Sequence, residues 1–203
     1  MKKNILLLLF LSAFILNGCL IVSRRIFTYT IKSDGKVELV IQYIDIRSAA
    51  TTNGIEPDTG FVEKDDEESL SEEIKDYQSL VKDFYVSDYF ASCYPRGKVT
   101  SRKLYETDGQ LNGEVHILFD NLKAAGIEKV KKTITLRSDS LCGYIHYIDS
   151  IAAPQKSTPH VDSIAQYYLF SWPKKTKTFA VEVVPYFPFG NSISLLDQWK
   201  KDK

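Results

Sequence analysis

Between residues 26 and 48, apolar and polar positions alternate with a period of two. Phe27, Tyr29 and Ile31 fall on one side, Asp34-Gly35 interrupts, and Val37, Leu39, Ile41 and Tyr43 resume the alternation. β-Branched and aromatic residues fill both arms, and an Asp-Gly pair suits a tight turn, so the segment predicts a β-hairpin. Three further segments carry the same period. "KVTSRKLYETDGQLNGEVHILFDNL" offers turns at Asp108-Gly109 and Asn112-Gly113, "KKTITLRSDSLCGYIHYIDSI" is broken near Ser138 to Ser140, and "QYYLFSWPKKTKTFAVEVVPYF" turns at Pro173 to Lys175. Each predicts a hairpin. "NLKAAGI", residues 121–127, predicts a single helical turn.

The period changes once. Leu70, Ile74, Tyr77, Val81 and Phe84 recur at spacings of four and three, which predicts an amphipathic helix over 70–86 with Glu73, Lys75, Asp76 and Lys82 turned to water. Ser69-x-x-Glu72 fits a capping box, and the acids from Asp65 to Glu68 lie where the helix dipole favours negative charge. Residues 48–68 are small, polar and turn-rich and predict a loop. The fold class expected is therefore α+β: antiparallel β-hairpins forming a sheet, with one long amphipathic helix packed on it.

The first residues follow neither period. Met1-Lys2-Lys3-Asn4 is basic, and Ile5 to Leu16 is an uncharged run of twelve, the length of a signal-peptide core and short of the roughly 20 residues of a membrane span. "LNGC" then places Leu16, a small Gly18 and Cys19 as a lipobox does, with Asn17 where Ala, Ser or Thr is commoner. Residues 1–20 resemble a bacterial lipoprotein signal peptide. The resemblance implies cleavage before Cys19, a diacylglyceryl group on its thiol and membrane lipid as a partner. Two or three acyl chains, at about 0.8 kcal/mol per buried CH₂, anchor stably where one does not. An uncleaved anchor continuing through Leu20-Ile21-Val22 and ordinary secretion are the alternatives; Arg24-Arg25 beyond the apolar run counts against the first. The organisation expected is a signal peptide at 1–18, a lipidated cysteine and tether at 19–25, and one α+β domain at 26–203. The expected location is the cell envelope, facing the periplasm.

Composition narrows the chemistry. Lys plus Arg and Asp plus Glu both number 26, and charge of both signs is mixed along the chain, so nucleic acid is not an expected partner. After Cys19, two cysteines remain, Cys93 and Cys142, 49 positions apart. In an oxidising compartment they are candidates for a disulfide, with two separate buried thiols as the alternative. The acidic run "EKDDEE" lacks the spacing of a calcium loop. His116, His146 and His160 make no H-x-H or HExxH pair, so no metal or cofactor is expected and partly exposed strand histidines are. No nucleophile elbow or phosphate loop occurs. Aromatics are plentiful, with 12 Tyr and 11 Phe, and concentrate in "FYVSDYFASCYP" and "VVPYFPFG". Pro185 and Pro188 keep the second from being a regular central strand, which makes Tyr186, Phe187 and Phe189 the candidate contact surface.

The mature chain also resembles small bacterial envelope lipoproteins of uncharacterised function, through "FTYTIKSDGKVELVIQY" directly after the anchor and "EVHILFDNL" later. These readings predict a non-catalytic binding or scaffolding protein, its partner an envelope protein or an apolar or carbohydrate ligand. The alternative is an envelope hydrolase, which would gather His116 or His146 with a carboxylate and a hydroxyl in a pocket.

Overall fold

A computed structural model describes residues 20–51, 66–137, 150–152, 160–162, 167–184 and 192–203. The first alternating segment forms strands β1 (Leu20–Ile31) and β2 (Val37–Thr51), an antiparallel hairpin. Gly35 closes the turn at φ +85°, a left-handed conformation that glycine adopts without steric cost. The strand starts earlier than expected: residues 20–25, read as a tether, pair with residues 43–48.

The second segment forms β3 (Gly97–Thr107) and β4 (Gln110–Phe119). Asp108 (φ +54°) and Gly109 (φ +71°) make the turn, as a two-residue type I′ loop requires. Asn112-Gly113, the other candidate turn, lies inside β4. Glycine is needed there for a different reason: a Cβ on Gly113 would sit 2.4 Å from the Phe84 ring.

The other two expected hairpins are rearranged. β5 (Ile127–Val130) and β6 (Thr133–Arg137) pair with each other around Lys131, so β6 turns back on the segment before it; residues 138–149, most of the expected second arm, lie outside the described residues. β7 (Ser150–Ala152) joins β10 (Thr178–Val184), and β8 (His160–Asp162) joins β9 (Tyr167–Pro173). β9 and β10 belong to different sheets, so Lys174 to Lys177 form a corner, tied to its surroundings by Lys174 N–H to the Lys132 carbonyl (2.8 Å) and Ile31 N–H to the Lys177 carbonyl (2.7 Å). β11 (Ser192–Ser194) pairs with β2. The result is a seven-stranded sheet, β3-β4-β2-β1-β10-β7 with β11 beside β2, and a four-stranded sheet, β5-β6-β9-β8, antiparallel throughout. Residues 121–127 make the expected single turn.

Alternation decides which face is buried. Val115, Ile41, Phe27 and Val181 stand side by side across four strands and are fully buried. Each contributes about 1.5–3 kcal/mol relative to exposure. Ile134, Leu136, Phe170 and Trp172 from the smaller sheet join the same core. Trp172 meets Phe179 at a ring-centroid distance of 4.4 Å, and Phe179 stacks on Tyr29 at 5.4 Å.

At Asp45 the alternation on β2 shifts. Leu39 and Ile41 bury odd positions, whereas Ile46 and Ser48 bury even ones. Asp45 has φ +54°, a left-handed conformation that Asp tolerates better than most residues. Its backbone N–H donates to Asn112 Oδ1 (2.9 Å), and its carboxylate accepts from Ser23 Oγ (2.8 Å) and pairs with Arg47 (3.5 Å).

The mostly antiparallel β architecture with a few helices is α+β, but the helix differs from expectation. α1 spans Asp66–Val81, 16 residues, and a π-helical turn continues it over Lys82–Val86. Ser69 therefore lies within the helix and not at its cap. The five-residue stripe faces the core only toward its end: Phe84 is buried and Tyr77 and Val81 are half-buried. Asp76, Leu80 and Phe84, four apart, are the buried positions, while Leu70 and Ile74 are exposed. The cause is Asp76, whose carboxylate accepts the Ser48 hydroxyl of β2. At 3.6 residues per turn, Ile74 lies about 200° around the helix from Asp76, so seating one exposes the other. Arg102 donates to the carbonyls of Phe84 (3.1 Å) and Ser87 (3.2 Å) where the π turn ends. Two short helices complete the described chain, α2 (Tyr89–Cys93) and α3 (Leu196–Lys201).

Candidate functional site

Two surfaces carry the chemistry of the described residues. The first is the outer face of the large sheet, where even positions of β2 and β4 point away from the core. Glu38 binds Lys32 (2.8 Å) and approaches His116 Nδ1 (3.3 Å); His116 Nε2 lies 2.8 Å from Glu114, which also binds Lys103 (2.9 Å) and accepts from Gln42 (3.3 Å). The hydrogen bond to Glu114, with a second to Glu38, raises the imidazole pKa against a partial desolvation. Lys32, then His116, holds Glu38 below the usual carboxylate range. Burial pushes Glu114 up, but the bonds from Lys103 and His116 together outweigh it and leave it lowered. Both imidazole nitrogens are thus engaged by carboxylates on an open sheet face. Neither is directed at a hydroxyl nucleophile, the arrangement general-base catalysis needs. Among the described residues no group of three His, Cys, Asp or Glu side chains is arranged to hold a metal ion.

The second surface is apolar and belongs to the helical stretch from α1 to α2. Six large apolar side chains are exposed among the described residues, and five of them, Leu70, Ile74, Tyr85, Val86 and Tyr89, lie here; Val86 is 75 % exposed. Beneath them Phe84 and Phe90 meet edge to face at 5.5 Å, and Tyr43 reaches both from β2. Burial raises the Tyr43 phenol well above its ordinary value. A groove of about 420 Å³ runs between α1 and α3, lined by Ile74, Tyr77, Val81 and Val86 on one side and Gln198 and Lys201 on the other. The Tyr77 hydroxyl donates to Asp202 across it at 2.9 Å, and burial, then that bond, raises its pKa. A smaller pocket of about 150 Å³ opens between the start of β1, β2 and the helices; Leu20, Val22, Tyr43, Ile46, Leu80 and Tyr89 are among its lining.

Of the residues singled out from sequence, Cys19, Cys142, His146, Tyr186, Phe187 and Phe189 lie outside the described residues. His160 pairs with Leu169 on the edge strand β8. Cys93, at the end of α2, packs against the core. The acidic run falls partly outside the described residues; Asp66, Glu67 and Glu68 form the first turn of α1. The pocket residues were not singled out together. Their one visible trace was the aromatic concentration at 84–95, which the structure divides into buried Phe84, Phe90 and Tyr94 and exposed Tyr85 and Tyr89.

No helix of the described residues is long and apolar enough to cross a membrane. No protein-family model, curated protein or solved structure matches the chain.

Proposed function

We propose that the protein is a lipid-anchored protein of the bacterial cell envelope whose domain is a non-catalytic binding or scaffolding module. The anchor rests on the leader: a basic start, a short apolar run and "LNGC". In its formation the Cys19 sulfur displaces the phosphate ester of a phospholipid donor, giving a thioether to the diacylglyceryl carbon, and the thiol proton leaves with that phosphate. Water then splits the Gly18–Cys19 peptide bond. The binding role rests on one observation, the concentration of exposed Leu70, Ile74, Tyr85, Val86 and Tyr89 on one helical stretch. Apolar surface gathered in this way marks a contact site more than isolated exposed residues do. The hydrolase alternative is weakened by His116, whose two nitrogens are taken by Glu38 and Glu114. Periplasm-facing attachment by membrane lipid, with an envelope protein or an apolar or carbohydrate ligand bound at the helical surface, completes the reading. The Tyr186, Phe187 and Phe189 surface stands as a second candidate contact. A Cys93–Cys142 bridge is part of the same proposal. Its closure gives up two protons and two electrons to an external disulfide oxidant, and stabilises by roughly 4 kcal/mol on the loop-entropy estimate.

Intact-mass measurement of membrane-extracted protein tests the anchor: the chain should begin at an acylated Cys19, and Cys19→Ser should leave the membrane or remain unprocessed. An unmodified Cys19 in the membrane fraction refutes it. Envelope pull-downs with the wild type and with Ile74→Asp/Val86→Asp, analysed by mass spectrometry, test the surface. Identical recoveries from both would remove the helical stretch as the binding site.

A further inference from the structure

Positive charge gathers where the smaller sheet turns. Residues 127–137 and 169–178 hold seven basic residues and one acid, Glu128, although the whole chain balances 26 against 26. The fold sets the two segments side by side. Thr133 pairs with both Val130 and Pro173, and Lys174 N–H donates to the Lys132 carbonyl at 2.8 Å. Lys131 and Lys132 on one turn thus lie beside Lys174, Lys175 and Lys177 on the other. All five are exposed, and none has a side-chain partner among the described residues. At the adjoining turn between β1 and β2, by contrast, Lys32 and Lys36 are paired with Glu38 and Asp34.

Apolar surface accompanies the charge. Val130, 44 % exposed, is the one large apolar side chain among the described residues that is exposed away from the helical stretch. It stands in a row across β5, β6 and β9 with Thr133 and the exposed Pro173. Val130 and Pro173 are therefore on one face, about 10 Å apart at two strand spacings. We propose that this end of the smaller sheet docks on an anionic phospholipid bilayer, its lysines against headgroup phosphates and Val130 and Pro173 in the interface.

Three features choose that partner. All five cations are lysines, and a strongly hydrated point charge suits a fluid field of phosphates, whereas ordered bidentate capture of one phosphate favours arginine. Neither turn contains an aromatic ring on which a nucleic-acid base could stack. An exposed valine and proline among the cations gain by leaving water, and affinity for a membrane surface combines that gain with attraction to anionic lipid. The inference stands apart from the leader, since every residue in it belongs to the described domain.

The test footprints lysines on the full chain. The protein is taken up in phosphatidylcholine vesicles, phosphatidylglycerol vesicles or inorganic polyphosphate are titrated in, and surface amines are acetylated and quantified by mass spectrometry. Acetylation of Lys131, Lys132, Lys174, Lys175 and Lys177 should fall as phosphatidylglycerol is added and recover in high salt. Lys75 and Lys82, exposed on α1 and its π turn, should stay reactive throughout. In Lys132→Gln/Lys175→Gln, protection of the other three should need roughly 25 times more anionic lipid, fivefold for each lysine at about 1 kcal/mol. Val130→Ser keeps every charge and should need about three times more, the share of half-burying a valine. Should a variant not fold, the wild-type footprint decides. Equal reactivity with and without phosphatidylglycerol overturns the proposal, and so does a matching loss at Lys75 and Lys82. Protection by polyphosphate and not by vesicles replaces the bilayer with a soluble polyanion. An unchanged titration in folded Val130→Ser does the same.

Discussion

The seven-stranded sheet and helix α1 both carry a periodic apolar pattern; the sheet obeys it except where β2 shifts at Asp45, whereas the first half of α1 turns Leu70 and Ile74 to water. In the sheet, Ile41 has Val115 on one side and Phe27 on the other, each fixed by ladder hydrogen bonds. A slip of one position would turn the whole set to water. Helix α1 has no such ladder, and its rotation about its own axis is free until packing chooses one. Asp76 chooses it by bonding Ser48 of β2, and Ile74 is turned outward. Many weak neighbours enforce a pattern; a single buried polar bond can override one, because leaving either partner unsatisfied costs about 1–3 kcal/mol.

The comparison can be broken at four places. Ile117→Ala, within the obedient sheet, should destabilise by about 2–5 kcal/mol in denaturant melts; a cost below about 1 kcal/mol would mean the ladder does not dictate burial. Asp76→Ala should cost about 1–3 kcal/mol by stranding the Ser48 hydroxyl. Combining Ser48→Ala with Asp76→Leu should recover most of that loss, and no recovery would assign the rotation of α1 to some other contact. His116→Gln probes the outer face, where the effect is at most about 1 kcal/mol for so exposed a network. The raised imidazole contributes fully below its ordinary value near 6.5 and loses the contribution as pH rises through its higher folded value. Glu38 and Glu114 are lowered, so their contribution is present above about 4.5 and fades as pH falls through their folded values. The wild type should therefore exceed His116→Gln most between these limits and converge with it in mild alkali. A gap independent of pH would remove His116 from the network. Smallest of all, Ile74→Ala should shift stability by no more than about 0.5 kcal/mol, where the apolar stripe taken at face value demands several times that.

Local chemistry was legible where neighbours in sequence are neighbours in space. Asp34-Gly35 and Asp108-Gly109 specified their turns, and the strands around them follow the period-two reading. The later hairpins were misjoined because their turn residues do not encode which sheet receives the next strand. Lys174 to Lys177 look like a hairpin loop, yet β9 pairs with β6 and β10 with β1. The rotation of α1 was illegible for a related reason: Asp76 reads as a surface residue until Ser48, 28 positions away, is placed beside it. The pocket combines Leu20, Ile46 and Tyr89 from three distant segments, and no spacing rule links them.

The pairing of β1 with β10 sets a timetable. Arg24 and Glu182 face each other across 158 positions of chain, so β1, among the first parts made, waits for one of the last. During synthesis β1 can zip to β2 at once, while the other edge of β1 stays open until residue 184 has followed. Contacts of such range are slow to form, because loop closure precedes their reward. An unpaired strand edge in the interval is a template for pairing with another chain. The rate of synthesis thereby becomes a determinant of yield: slowing it between residues 130 and 180 lengthens the exposure, and a holdase able to cover a strand edge shortens its consequences.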